Sequence, residues 1–194
     1  IMLRLLTLKP KAFGFDISDL SLKVIQLEPA KHGFRLASFG EVVLEPGVVE
    51  GGEIKKEDEL IAAMKKVMQK VKGKKIQTNY IVGSLPEQKA FLQIVQLPKM
   101  AKADVMEAVR FQSENYIPYP LDTVYLDYSI ISPFHNHLDH IDVLLASLSR
   151  EVVDPYVSVF EKAGFIPVAL EIESLAPVCA FLYRTNLKSP EAQE

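Results

Sequence analysis

Asp16, Ser18, Asp19, Ser21 and Lys23 crowd a short stretch between two apolar segments. A tight turn there would aim backbone N–H groups at a phosphate, and Lys23 would add a positive charge. Asp16, at a strand end, could hold a metal–water cluster. A plain hairpin with solvated polar residues accounts for the same pattern, because turns are commonly rich in Ser and Asp. A second stretch, Ala103–Tyr116, has helical spacing. Val105, Ala108, Val109 and Tyr116 share one face, and Phe111 lies on the other with Glu107 and Glu114. A large aromatic on a charged face suggests a contact with another subdomain or a partner, and cover by a neighbouring loop is the alternative. The segment Ile117-Pro118-Tyr119-Pro120-Leu121 follows. Its prolines pre-order an extended, apolar stretch that could frame a groove or serve as a rigid connector.

His135, His137 and His140 fall in one short loop beside Asp139 and Asp142. Imidazoles this close could bind zinc or nickel. No HExxH pattern or cysteine partner accompanies them, and a polar hairpin tip is the simpler reading. The sequence holds no GxSxG, P-loop or GxGxxG pattern. Ser, His and Asp are present without a spacing that singles out a triad. No catalytic residue, no metal and no enzymatic activity are therefore assigned.

The elements that position these residues can be read from periodicity. Phe13, Phe15 and Ile17 alternate with polar or small residues, as in a strand. Leu22–Leu27 and Phe34–Leu44 read as two more strands, giving an antiparallel meander. After a loop punctuated by Pro46, Gly47, Gly51 and Gly52, the residues Leu60, Ile61, Met64, Val67, Met68 and Val71 define a helix face. Gly73 is the expected helix stop. Tyr80–Leu85 is a strand. A unit of different pattern follows: strand Ala90–Leu97, helix Ala103–Tyr116, and strands Val124–Ile131 and Ile141–Leu148. A second strong helix carries Val152, Val153, Tyr156, Val159, Phe160 and Ala163, with Gly164 at its end. Pro155 implies either that Asp154 caps this helix or that the helix bends. Strand Val168–Ile172 and a last helix from Ser174 to Tyr183, holding Cys179, complete the order. Meander followed by alternating helix and strand is a mixed α/β architecture.

The chain has 194 residues, is 48% hydrophobic and 24% charged, and so has a globular balance. With 22 Lys+Arg against 25 Asp+Glu its net charge is -3, which argues against nucleic-acid binding through bulk charge. One cysteine cannot form an internal disulfide and fits a reducing compartment. No apolar run approaches the roughly 18 residues needed to span a bilayer. Met2–Leu8 reads as an N-terminal strand or frayed end, with contact to a membrane surface as the alternative.

Phe13–Glu28 (FGFDISDLSLKVIQLE) resembles the first phosphate motif of the actin-like ATPase superfamily, and more narrowly that of the PilM-like type IV pilus assembly proteins, relatives of FtsA. Leu44–Ile54, Gln96–Asp122 and Val159–Ala176 resemble further segments of that family in the same order, so the resemblance runs nearly end to end. It implies an α/β fold with an actin-like, ribonuclease-H-like subdomain 1A over residues 1–86 and 149–194. An inserted strand-helix-strand-strand subdomain 1C would cover 87–148. The family's phosphate motif usually has glycine where Ser18 stands, and glycine permits close backbone approach. Family members also continue into a second half that completes the nucleotide site. Asp16, Ser18, Ser21 and Lys23 are therefore expected to form an incomplete phosphate half-site. No cofactor is expected in this chain alone, with ATP and magnesium left to a longer protein. The resemblance further implies a cytoplasmic scaffold, peripheral to the inner membrane through its partners. Such a scaffold binds the N-terminal peptide of a PilN-like protein in a groove between 1A and 1C. Phe111, Ile117, Pro118 and Tyr119 are the expected groove residues. Other pilus platform proteins and a second copy of the chain are further partners to consider. The alternatives are half of an actin-like ATP-binding enzyme, or a scaffold of type II secretion (GspL-like) or cell division (FtsA-like).

Overall fold

The computed structural model describes residues 11–31, 33–131 and 139–178. Met2–Leu8, His135, His137 and Cys179 lie outside the described residues, and the last expected helix is described only over 175–178. The chain divides into two compact units, Ile1–Gln88 with Pro155–Glu194, and Lys89–Asp154.

In the first unit β1 (Phe13–Ile17), β2 (Ser21–Ala30) and β3 (Gly33–Val43) form the expected antiparallel meander. A small hairpin of β4 (Val49–Glu50) and β5 (Glu53–Ile54) follows. Its Gly51-Gly52 turn has φ of 56° and 76°, the left-handed pair that tight hairpins favour. Then come α1 (Glu57–Gln69), β6 (Lys72–Gly73) and β7 (Tyr80–Leu85). Gly73 does not end the helix. Lys70 already closes it with a bond from its N–H to the Val67 carbonyl, 3.0 Å. Gly73 instead pairs with Ser38, and a Cβ there would lie 2.3 Å from the Ala37 carbonyl oxygen. A close approach between strands, invisible to local periodicity, therefore explains this glycine.

The second unit holds β8 (Ala90–Pro98), α2 (Lys102–Tyr116), β9 (Val124–Ile131) and β10 (His140–Ser149). The strands form an antiparallel sheet in the order β8-β10-β9. Val95, Leu97, Val143 and Leu145 of the strands bury against Val105 and Val109 of α2. Tyr116 departs from this apolar face and is exposed.

Helix α3 (Arg150–Lys162) crosses the boundary between the units. It starts five residues before Pro155, so Asp154 does not cap it. The Ser149 hydroxyl accepts the Glu151 N–H at 3.2 Å, and Asp154 accepts the Tyr125 hydroxyl at 2.9 Å. Pro155 sits inside the helix, where it removes one backbone donor. Gly164, φ 91°, follows its end, and β11 (Ile166–Ile172) closes the fold.

The main sheet has the order β11-β7-β1-β2-β3-β6, with β1, β7 and β11 mutually parallel. Leu60, Met64 and Val67 of α1 are buried, and Gly40 lets α1 approach, its missing Cβ 3.4 Å from the Val67 carbonyl. Phe15 meets Phe160 of α3 edge-on, with centroids 5.7 Å apart, and Phe13 meets Phe165 at 5.9 Å. Burying each such ring stabilises the unit by about 1.5–3 kcal/mol.

Candidate functional site

The turn between β1 and β2 builds the first candidate site. Asp16 and Lys23 are register partners on adjacent strands, so both project to the same sheet face. They line an open trough of about 930 Å³ with Ile25, Phe39, Val82 and Ser84. Glu41, Glu87, Glu171 and Glu173 add carboxylates to its lining. Burial pushes the Glu173 carboxyl above its ordinary value, and the negative charges of Asp16, Glu87 and Asp19 push the same way. A lining with this excess of carboxylate repels phosphate unless cations enter with it.

Ser18 and Ser21 do not join Asp16 and Lys23. The Ser18 N–H donates to the Ser21 carbonyl at 3.0 Å, and the Ser21 N–H donates to the Ser18 hydroxyl at 3.2 Å. The two hydroxyl oxygens lie 3.3 Å apart, and Ser21 is buried. The serines close the turn on itself. Among the described residues no non-glycine has positive φ, so Ser18 occupies the glycine position without backbone strain.

Sequence reasoning assigned Asp19 no distinct role. Its carboxylate accepts the N–H groups of Gly51 and Gly52 at 2.7 and 3.1 Å, a pair of donors suited to an anion. The Tyr156 hydroxyl donates to the Gly52 carbonyl at 3.1 Å, and burial raises its pKa further above the usual phenol range. A Cβ on Gly52 would lie 2.4 Å from Pro86 Cβ. Three distant elements thus fix one glycine turn. The Gly-Gly pair and an acceptor-only side chain in a turn were the available signals, but nothing local joined them.

The second candidate lies wholly in the inserted unit. Phe111 is 70% exposed on α2 and, with Glu107, Arg110, Glu114 and Leu121, lines a hollow of about 550 Å³. Tyr119 is 60% exposed and Pro118 is exposed. Ile117 differs from its expected role. It is 5% exposed, and its N–H caps α2 through the Ser113 carbonyl at 2.8 Å, so it anchors the segment instead of facing a ligand.

Of the histidine loop, His140 is described. Its Nδ1 lies 3.5 Å from Asp139 and its Nε2 3.7 Å from Asp142. Among the described residues no group of three or more His, Cys, Asp or Glu side chains could hold a metal ion.

The sequence profile of the family described as type IV pilus assembly protein PilM matches residues 14–193. The chain belongs to the PilM family. A chain of the solved PilM-PilN type IV pilus biogenesis complex superposes with a TM-score of 0.74 at 25% identity. That match covers 86% of this chain and 48% of the other. The cytoplasmic domain of EpsL, an inner membrane component of the type II secretion system of Vibrio cholerae, superposes with a TM-score of 0.51 at 13% identity. It covers 84% of this chain and 58% of that domain, and it shows the fold alone. This member of the PilM family thus has the actin-like α/β fold and spans about half the length of the PilM chain it matches. Among its described residues no helix is long and apolar enough to cross a membrane.

Proposed function

We propose that this chain is a scaffold of type IV pilus assembly that binds the N-terminal peptide of a PilN-like protein. The observation that carries the reading is the match of most of the chain to a PilM chain solved with PilN. Phe111, Pro118 and Tyr119 contribute the contact, and Ile117 holds their segment in place. An exposed aromatic beside a proline-stiffened segment loses little conformational freedom on binding, which favours recognition of a short peptide. The protein acts on the cytoplasmic face of the inner membrane through such partners, with other pilus platform proteins among them. Catalysis is no part of this role. The carboxylate-rich trough and the self-bonded serines favour weak or absent ATP binding by this chain, with Asp16 and Lys23 as the remnant of a phosphate half-site.

Fluorescence anisotropy with a labelled PilN-type N-terminal peptide tests the reading. Binding is expected at roughly tens of micromolar or tighter, with at least about a tenfold loss for Phe111→Ala. No binding by folded protein overturns it. Calorimetric titration with Mg-ATP addresses the nucleotide half, and micromolar affinity would contradict it.

A further inference from the structure

The sheet of the inserted unit ends on β9, whose pairing among the described residues is with β10 alone. The Lys99 N–H donates to the Asp139 carbonyl at 3.3 Å. This fixes the alternation of the ladder. Odd-numbered residues of β10 bond towards β8, so even-numbered ones bond towards β9. Through the register Leu144↔Ser129 and Ala146↔Asp127, the N–H and C=O groups of Val124, Leu126, Tyr128 and Ile130 point away from the sheet. One of them shows it directly, because the Tyr128 N–H is taken by the Asp127 carboxylate at 2.8 Å. Proteins blunt such edges with proline, lysine or a bulge. The strand VYLDYSII has no proline or lysine, and its pairing with β10 shows no bulge.

We propose that this edge is a self-association surface, at which β9 pairs antiparallel with β9 of a second copy of the chain. A two-fold axis perpendicular to the sheet keeps each face continuous and requires a residue at its centre. With Tyr128 there, Tyr128 pairs with itself and Leu126 with Ile130 on the helix-covered face. On the other face Tyr125 pairs with Ile131, and Asp127 with Ser129. From Tyr125 to Ile131 every apolar side chain meets an apolar one, and the one carboxylate meets a hydroxyl. Centring on Asp127 instead would oppose two carboxylates, which disfavours that register. Exposure agrees, since Tyr125, Ile130 and Ile131 are exposed large hydrophobics. The other outer strand, β8, follows the first unit directly at Lys89. Each edge has one outward group held by a side chain of its own strand, the Ile94 carbonyl by the Gln93 amide at 3.0 Å and the Tyr128 N–H by Asp127, which pairing at β9 displaces. The partner is a copy of this chain because the strand is complementary to itself, residue by residue.

Sedimentation velocity over a concentration series tests the proposal. A monomer–dimer equilibrium is expected, weakened at least about tenfold by Ile130→Pro, which removes an outward N–H and is tolerated on an edge. Ile130→Lys should act alike. Both variants are first shown by thermal melting to be folded. In a Cys179→Ser background, Asp127→Cys and Ser129→Cys chains mixed under oxidation should cross-link to each other, whereas Ile94→Cys on β8 should not. A chain that stays monomeric, a dimer indifferent to both Ile130 variants, or a cross-link through Ile94→Cys alone overturns the proposal.

Discussion

Asp19 accepts the backbone N–H groups of Gly51 and Gly52. Asp19→Ala leaves those donors to water and should destabilise the protein by about 1–3 kcal/mol in urea unfolding. Asp19→Asn retains one acceptor oxygen and should lose less. Glu173 makes the opposite contribution. Its pKa in the folded protein is raised above 4.5, so the native state binds more protons than the unfolded state between the two values. Its stabilising influence is full below pH 4.5 and is lost as pH rises through the folded pKa. Glu173→Gln should therefore raise the melting temperature at pH 7 and show little difference from wild type near pH 4. A higher melting temperature for wild type at pH 7 would refute this. At this scale sequence reading had limited reach. The types Asp, Ser and Lys around the first turn were visible, but hydrogen-bond direction was not. The serines bond to each other across three residues, whereas Asp19 bonds across more than thirty. Only the folded chain distinguishes the two outcomes.

Elements with a strong internal period were legible. Phe13, Phe15 and Ile17 are buried alternately, and Val124–Ile131 has the bounds its alternation implies. The places read differently have two causes, packing between elements distant in sequence and a helix start that lies upstream of its proline. Gly73 serves β3, and Pro155 lies inside a helix capped further upstream by Ser149. The β4–β5 hairpin is too short to carry a period at all. Gly83 in β7 is a test of such packing. A Cβ there would lie 2.8 Å from the Phe160 ring and 3.0 Å from Leu170. Gly83→Ala should separate α3 from β7 and cost about 1–3 kcal/mol, measured by chemical denaturation. A neutral result would mean that the Phe160 ring can swing aside.

Over the whole molecule, Lys89–Asp154 forms a compact unit in which the strand-helix-strand-strand pattern differs from the flanking segments. Its independence rests on a core that uses residues from β8, α2 and β10. Residues 89–154 expressed alone should show native-like circular dichroism and a cooperative melt below that of the full chain. A molten, non-cooperative profile would show that the unit depends on the rest.

The parallel pairing of β11 with β7 carries a consequence for biogenesis. About 80 residues separate these strands in the chain, so a nascent polypeptide emerging at ~5–20 residues per second exposes the flank of β7 for roughly 4–16 s before its neighbour arrives. During that interval the interrupting segment has already left the ribosome and is free to collapse first. A translational pause placed after Asp154 would lengthen the vulnerable window, and chaperone capture should rise with it.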